Sequence, residues 1–279
     1  MPSGRLASIF IVVLLMSAAS SASASSITIG QLSPPNPSSE TSADTDRAQP
    51  TVTSGNSYVV PATGGVTAWT LTSWSHTAAT DPVQELTMKV FRKVADPLAY
   101  SAVAHDGPRQ LIPGTINTFQ TSLQVKAGDV LGNNSKSPGD NASYFTAPGE
   151  SLIDLSPGLA DGQTGTFALK PDGVRLNVSA TLEPTNTFSL GQITRNKKKG
   201  TATLEATVPN PGALTAAGQG VKPSSTTGSG TVKLKIRANG KKRRKLTEAG
   251  KVKLDVAITY TPTSGDPRAQ TAKVKLRKR

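Results

Sequence analysis

The chain has 279 residues and a formal net charge of +13 at pH 7, from 31 Lys and Arg against 18 Asp and Glu. It contains no cysteine, which excludes disulfides, thiolate metal sites and a cysteine nucleophile. Residues 1–184 hold 10 Lys and Arg against 14 Asp and Glu, whereas residues 185–279 hold 21 against 4. Such an abrupt change of charge predicts two domains with different roles.

The first 24 residues have the composition of a secretory signal peptide. Arg5 supplies a positive charge, residues 9–16 are apolar, and Ala22-Ser23-Ala24 is a small-residue cleavage pattern. The alternative is an uncleaved anchor helix, but spanning about 30 Å of hydrocarbon takes about 20 apolar residues. We therefore expect residues 1–24 to be removed and the mature protein to be extracellular, with no transmembrane segment.

Residues 25–56 are rich in Pro, Ser, Thr and Asp, which predicts a flexible segment. From residue 57 onward, short alternating runs separated by Gly and Pro turns predict an all-β chain. We expect a jelly-roll-like β-sandwich over residues 57–184, with a surface loop at residues 133–143. Its predicted strands are residues 66–74, 86–92, 99–104, 117–125, 144–146, 164–169 and 174–182.

The last 95 residues pass quickly through short alternating runs. They predict an immunoglobulin-like or fibronectin-like β-sandwich over residues 185–279. Its predicted strands are residues 188–193, 200–208, 212–218, 230–237, 250–261 and 269–277. In the strands beginning at residues 230, 250 and 269, apolar residues alternate with mostly cationic ones. Each of these strands should therefore have an apolar inner face and a cationic outer face.

Two predicted loops add further cations at the ends of this sandwich. We take these residues as the candidate polyanion-binding site: Arg195, Lys197, Lys198, Lys199, Lys241, Lys242, Arg243, Arg244 and Lys245. Its ligand would be a wall teichoic acid, an anionic lipid headgroup, an acidic polysaccharide or an extracellular nucleic acid. The alternative is a solvated surface that keeps the domain soluble and protects its edge strands. Specific base recognition is not expected, because this domain has few aromatic residues.

The N-terminal module offers a second candidate site, for carbohydrate. Trp69, Trp74 and Tyr58 could stack on sugar rings, and the alternative is that they fill the core. Trp69 and Trp74 have opposite parity in one strand, so either one is exposed or a β-bulge buries both.

The sequence shows no recognisable catalytic or metal-binding frame, and we expect no cofactor. His76 and His105 could form a metal site with Asp81 or Asp106, but no spacing is diagnostic. No G-x-S-x-G element follows a strand. Carboxylates for glycoside cleavage (Glu85, Glu150, Asp154) or for calcium (Asp129, Asp140) are scattered. The alternative of a secreted hydrolase would require His76 or His105 to lie with acids in a pocket.

The C-terminal stretch resembles a domain that is frequent at the ends of uncharacterised secreted proteins of actinobacteria, and the upstream part is similar to a companion module of those proteins. The resemblance lies in residues 188–191, 196–204, 208–212, 250–254, 259–262 and 274–276, and upstream in residues 71–75, 89–92 and 126–132. It implies a surface-associated β-rich protein and supplies no activity. The sequence thus predicts a secreted, non-enzymatic binding or structural protein, held loosely to the cell envelope by its basic domain.

Overall fold

The computed structural model describes residues 25–34, 43–80, 84–95, 97–135, 142–146, 149–170 and 173–279. The predicted signal peptide, Asp81 and Asp140 lie outside these residues. Within them the chain is all-β, as the sequence predicted, with antiparallel pairing and one helix. No helix in the described ranges has the length and apolar character needed to cross a membrane.

Thirteen strands lie in the described residues of the N-terminal part of the chain. They are β1 (Ile27–Gln31), β2 (Thr45–Ala48), β3 (Ala68–Thr77), β4 (Glu85–Ala95), β5 (Ala99–Gln110), β6 (Ile116–Lys126), β7 (Val130–Ser135), β8 (Ser143–Phe145), β9 (Leu152–Leu155), β10 (Thr164–Thr166), β11 (Ala168–Lys170), β12 (Val174–Leu176) and β13 (Val178–Pro184).

The C-terminal part contains five strands and the helix. They are β14 (Ser189–Asn196), β15 (Thr201–Ala217), β16 (Ser224–Arg237), α1 (Gly240–Ala249), β17 (Lys251–Pro262) and β18 (Arg268–Arg277).

Two sheets form the N-terminal sandwich. One has the strand order β1-β13-β3-β6 and the other β10-β5-β4-β7-β2-β9-β11, while β12 and β8 pair separately. Between the two sheets lies an apolar core to which Leu71 and Trp74 of β3 and Leu86 and Met88 of β4 contribute. The apolar residues alternate along these strands, so one face of each sheet is buried against the other.

A β-bulge places Trp69 and Trp74 on the same face of β3. Against β13, Thr181 lies opposite Ser73 and Leu182 opposite Leu71, so no residue of β13 lies opposite Thr72 in the strand register. This extra residue resets the side-chain alternation. Both indole rings are therefore buried, the second of the two arrangements that the sequence allowed.

The larger sheet is also covered on its outer face. A second core contains Phe91, Tyr100 and Phe167, whose rings meet edge to face at centroid distances of 5.3 and 5.6 Å. The chain between β9 and β11 passes over β4 and β5 here. This cover explains why β4 is buried on both faces and why Lys89, a strand residue facing away from the main core, is buried.

The described parts of the segment 25–56, residues 25–34 and 43–56, contain two strands, although the composition predicted a flexible segment. Strand β1 pairs with β13, and β2 lies between β7 and β9 inside the larger sheet. Polar contacts rather than apolar alternation hold β2: the Asp46 carboxylate accepts from Lys89 Nζ at 2.7 Å and from Asn134 Nδ2 at 2.8 Å. A sequence search for apolar periodicity does not detect such a strand.

The start of the predicted loop 133–143 is likewise a buried strand. Asn133, Asn134 and Ser135 belong to β7, which pairs with β2 on one side and β4 on the other. Asn133 Nδ2 donates to the carbonyl of Ala142 at 2.8 Å. The polar composition of this run predicted exposure, but a central position in the sheet buries it.

The C-terminal unit is a sheet that curls on itself. Strand β15 bends at residues 209–211, opposite a register shift in β16. Its first half, 201–208, pairs with β14 and β16, and its second half, 212–217, pairs with β16 and β17. Gly212 permits the bend, because a Cβ atom there would lie 2.4 Å from the Thr261 carbonyl oxygen. One apolar core fills the interior.

The helix α1 replaces a predicted loop. Residues 241–245 form most of its first two turns, and Leu246 is its buried residue. Gly250 ends the helix in the left-handed conformation, at φ 63°. The sequence did not predict this helix, because a run of cations with one apolar residue has no amphipathic period.

Asn210 joins the two units at the bend of β15. Its Oδ1 accepts from the backbone amides of Thr67 and Ala68 at 3.1 and 3.0 Å, and its Nδ2 donates to the carbonyls of Ala68 and Thr185 at 2.7 and 3.3 Å. Ser25 also donates to the Ser264 carbonyl at 3.0 Å. Because Asn210 is fully buried, these bonds are shielded from water and hold the units together.

Candidate functional site

The cations of the C-terminal sandwich collect at the end that faces away from the N-terminal sandwich. We call this region the distal end: residues 195–200, Lys222, residues 237–251 and residues 277–279. Asn210 and Ser264 mark the opposite end, at the junction. The twelve residues of β17 run between the two ends, a distance of about 36 Å at a rise of about 3.3 Å per residue.

Backbone pairing brings the separate segments of the distal end together. Thr201 lies opposite Arg237, and Lys251 lies opposite Arg277. Lys278 N donates to the Gly250 carbonyl at 2.8 Å, and Arg279 N donates to the Lys197 carbonyl at 3.1 Å. In residues 195–200, 237–251 and 277–279 the only acidic residue is Glu248. The distal end is therefore a compact region of almost uniform positive charge.

The charges of α1 oppose the dipole of the helix. Its first turn contains no acidic residue and its last turn no basic one. Cations near a helix N-terminus are unfavourable, and like charges three or four residues apart repel, by a few tenths of a kcal/mol for each pair. Lys241 stands in this relation to both Arg244 and Lys245. Helix stability therefore does not explain this run of five cations.

A cavity of about 340 Å³ opens on one side of α1. We call it the α1–β16 cavity. Its lining comes from the β14–β15 loop, the start of β15, the β15–β16 loop, the end of β16, α1 and the segment after β18. Its charged members are all cations: Lys199, Lys222, Arg237, Arg243 and Lys278. Nε of Arg237 is shielded from solvent and has no hydrogen-bond partner. None of the five cations forms an ion pair with any residue that the structure describes.

A second cationic cavity, of about 350 Å³, lies on the other side of α1. Its lining is Lys242, Lys245, Lys251, Val252, Lys253 and Lys275. Lys242 Nζ donates to the Lys253 carbonyl at 3.4 Å, which places the helix against β17. Two positively charged concavities thus flank one helix.

The candidate polyanion residues all lie at or beside the distal end. Arg195 Nε donates to the Lys275 carbonyl at 2.8 Å, which joins β14 to β18. The predicted cations at 197–199 are on the β14–β15 loop, whereas those at 241–245 are on α1 instead of a loop. The sequence did not single out Lys222, Arg237 or Lys278 for this site. Arg237 ends a strand with strict alternation, but only the fold shows that it meets the other two.

The candidate carbohydrate residues do not form an exposed platform. Tyr58, Trp69 and Trp74 have at most 3% of their surface exposed. Trp69 Nε1 donates to the Pro61 carbonyl at 2.8 Å, and Trp74 Nε1 donates to Asp106 Oδ2 at 2.6 Å. Their rings belong to the core, so they present no face on which a sugar could stack.

His76 is a structural residue of the N-terminal core. It is fully buried, its Nδ1 lies 2.6 Å from the Asn177 carbonyl, and its Nε2 has no partner. Burial lowers the pKa of His76 to about 4, against a smaller opposite effect of the bond to Asn177. The side chain is therefore a neutral imidazole at pH 7, and Nδ1 carries the proton donated to the carbonyl.

His105 lies in a polar cavity of the N-terminal sandwich, of about 390 Å³. Its Nδ1 is 2.9 Å from Asp161 Oδ2, on the chain segment that covers β4. Lys89 also lines this cavity, but its ammonium is held by Asp46 and by the Leu159 carbonyl at 2.5 Å. The sequence had considered Asp106 as a partner of a histidine; instead Asp106 binds Trp74 and Arg109.

No group of three His, Asp or Glu side chains suited to a metal ion occurs among the residues described. Glu150, considered as a glycosidase carboxylate, is buried beside Arg175 and Thr53. Burial raises the pKa of Glu150, but hydrogen bonds from Thr53 and Arg175 outweigh that effect and leave the pKa below its ordinary value. The carboxylate is thus a structural anion.

The comparisons with known proteins give no relative from which a function could be transferred. No protein-family model matches the chain, and no curated protein matches it. The function must therefore be inferred from the distal end itself.

Proposed function

We propose that this protein is a secreted, non-enzymatic binding protein that attaches to an anionic polymer of the cell envelope through the distal end of its C-terminal sandwich. The observation that supports this most strongly is the location of the charge. Cations from the β14–β15 loop, β16, α1 and the chain after β18 converge at the end farthest from the junction with the N-terminal sandwich. A surface placed there can contact a polymer while the N-terminal sandwich remains accessible.

The alternative is that the cations only keep the domain soluble. Solubility needs net charge but no particular arrangement, and mixed charges serve it well. Here α1 carries its cations in the turns where the helix dipole disfavours them, next to two cavities of the same sign. An arrangement that costs helix stability supports a binding role, because an anionic partner would compensate the repulsion.

The test is sedimentation of the full chain with isolated bacterial envelopes at about 20 mM and about 500 mM salt. Electrostatic attachment predicts binding at low salt and release at high salt, because the Debye length falls well below about 10 Å above 0.1 M. A variant with Lys241, Lys242, Arg244 and Lys245 changed to Gln should bind more weakly. Absence of sedimentation at both salt concentrations would contradict the proposal.

We also propose the finer architecture: a jelly-roll-like sandwich followed by an immunoglobulin-like one. The halves of β15 and of β16 behave as separate strands, because each half has its own neighbours. Counted in this way, the C-terminal unit has a three-stranded and a four-stranded sheet, which is the strand number of a constant-type immunoglobulin domain. In the N-terminal unit, two antiparallel sheets enclosing one core support the jelly-roll-like proposal.

A hydrolase is a second candidate, favoured by one observation. The imidazole of His105 is held by Asp161 beside a cavity, an arrangement in which a carboxylate orients a base. The test is a screen of the full chain against polysaccharide, ester and peptide substrates, with His105→Gln as the matched control. Turnover by the native chain and not by His105→Gln would favour the enzyme over the binding protein. Equal blank rates for both would remove the hydrolase.

A further inference from the structure

The α1–β16 cavity is surrounded by hydrogen-bond donors. Besides its five cations, the polar residues Thr201, Asn239 and Thr247 line it, and no Asp or Glu does. The donors come from five separate segments of the chain, so they approach the cavity from several directions. A planar carboxylate offers two oxygen atoms in one plane, whereas a phosphate offers oxygens in a tetrahedral arrangement. Donors from several directions suit the phosphate better.

The positive charges around this cavity are close enough to repel one another. A sphere of 340 Å³ is roughly 9 Å across, less than one Debye length at 0.1 M salt. The N-terminal half of α1 adds the positive end of the helix dipole. With no acidic residue in the lining to compensate them, an anion in the cavity would remove this repulsion.

Arg237 is the most constrained of these cations. Its carbonyl accepts from Lys222 N at 2.8 Å, and Val221 forms a β-bridge with Ala238. These backbone contacts hold the β15–β16 loop against the end of β16. The Nε–H of Arg237 is buried without an acceptor. A buried donor without an acceptor is unfavourable, and more so when the donor is charged. Arg237 therefore brings to the lining of the cavity an Nε–H group that has no acceptor within the described protein.

We infer that the α1–β16 cavity binds a phosphate group of a phosphodiester polymer, with Arg237 as its fixed donor and Lys222 and Arg243 as its flanking cations. This inference rests on the proposed function and names the ligand chemistry of that surface. The cavity is much larger than one phosphate ion, so it can also accommodate the substituents on either side of a phosphodiester. Sequence-independent binding through phosphate needs no aromatic stacking, which agrees with the few aromatics of this domain.

The first experiment follows the arginine side chains of the full chain by ¹H–¹⁵N NMR during titration with inorganic pyrophosphate. The Nε–Hε signal of Arg237 should shift and saturate. A parallel titration with soluble poly(glycerol phosphate) should shift the same signal at lower phosphate concentration if the polymer is the better ligand. Polyglutamate, a carboxylate polymer, should leave it nearly unchanged. Equal shifts with all three anions, or none at Arg237, would overturn the inference.

The second experiment measures the dissociation constant for pyrophosphate by calorimetry in two matched variants. Lys222→Gln/Arg243→Gln removes two charges from the cavity. Lys233→Gln/Lys235→Gln removes two charges from the outer face of β16, outside the cavity lining. The first should weaken binding by tenfold or more, and the second by less than threefold. Equal weakening would indicate diffuse attraction and contradict a defined pocket.

These results separate the pocket from the function on which it rests. If envelopes bind the native chain and both double variants equally well, the function stands and the pocket is wrong. If pyrophosphate binds at Arg237 but envelopes do not sediment the chain, the pocket stands and the proposed function is wrong. Arg237→Lys retains the charge but loses the fixed planar donor, and it should weaken pyrophosphate binding while the far-UV circular dichroism spectrum stays unchanged.

Discussion

The hydroxyl of Tyr260 donates a 2.6 Å hydrogen bond to the backbone carbonyl of Asn210, and the backbone amide of Asn210 donates back to that hydroxyl at 3.2 Å. Burial raises the pKa of Tyr260 to about 12, so the hydroxyl stays protonated and can donate throughout the physiological range. Through this pair, β17 fixes the bend of β15, and the side chain of Asn210 remains free to bind the N-terminal sandwich.

Replacing Asn210 by Ala should destabilise the protein by about 3–5 kcal/mol, because a buried side chain loses its four hydrogen bonds to backbone groups of Thr67, Ala68 and Thr185. We also expect the urea unfolding curve to separate into two transitions, one for each sandwich. Asn186→Ala is the matched control: Asn186 is half-buried beside the same junction, and its Nδ2 makes one bond within the C-terminal unit, 3.1 Å to the Asp266 carbonyl. Asn186→Ala should lower the free energy of unfolding by no more than about 1 kcal/mol. Equal losses for Asn210→Ala and Asn186→Ala would contradict a special role of Asn210.

His76 should make the stability of the protein depend on pH. Its pKa is about 4 in the folded state and near 6.5 in the unfolded state, so the unfolded chain binds more protons between these values. Stability should therefore be complete above pH 6.5 and fall by about 3 kcal/mol as the pH decreases to 4. Urea unfolding at several pH values measures this loss.

The matched comparison for this pH effect uses His76→Gln and His105→Gln. His76→Gln keeps a donor for the Asn177 carbonyl but cannot titrate, so it should flatten the dependence between pH 4 and 6.5. His105→Gln changes a half-exposed histidine and should leave that dependence in place. Identical pH profiles for the native chain and His76→Gln would show that His76 is not the source.

The ion pair between Lys89 and Asp46 should be strongly coupled. Lys89→Met leaves the Asp46 carboxylate buried without its cation, and we expect a loss of about 3–5 kcal/mol. The double variant Lys89→Met/Asp46→Asn removes that uncompensated charge and should recover part of the loss. Urea unfolding of the two single variants and the double variant gives the coupling energy, for which we expect about 1–3 kcal/mol. Additive losses would show that the pair is not coupled.

Charge changes on the outer face of β17 and β18 should affect stability and envelope binding in opposite directions. Lys253 lies directly opposite Lys275, a like-charge cross-strand pair. Lys253→Glu turns it into an attractive pair and should stabilise the protein by about 0.2–1 kcal/mol in thermal unfolding. The same variant should sediment more weakly with envelopes at low salt. Asp255 already faces Lys273, so the control Asp255→Lys should do the reverse in both measurements. Stability gained without weaker sedimentation would favour a purely solvating face.

The sequence predicted the parts of this fold that depend on alternation. In residues 232–236 of β16, 252–260 of β17 and 272–276 of β18, every second residue is apolar, and this pattern alone indicates which side is buried. The same alternation allowed two arrangements of Trp69 and Trp74: one ring exposed, or both buried by a bulge. Only the structure, with its bulge at Thr72, shows that both are buried. The candidate cations were recognisable because charge is local in sequence.

The remaining features depend on contacts that are distant in sequence. The buried strand β2 has no apolar period, and its partners lie about 90 to 110 residues later. The α1–β16 cavity likewise joins cations from five separate segments that no sequence spacing relates. Burial of a polar strand and convergence of strand ends are properties of the assembled sheet, so no single window of sequence contains them.

The place of β2 also determines when the larger sheet can form. In the order β10-β5-β4-β7-β2-β9-β11, β2 is the only strand that connects the first four strands to the last two. Its bonds to β9 join residues 46–48 to residues 153–155. A chain synthesised from its N-terminus must therefore reach residue 155 before this sheet closes, and contacts so far apart in sequence slow folding. Until then, the edge of β2 that pairs with β9 has no strand beside it, so this half of the sheet forms late in synthesis.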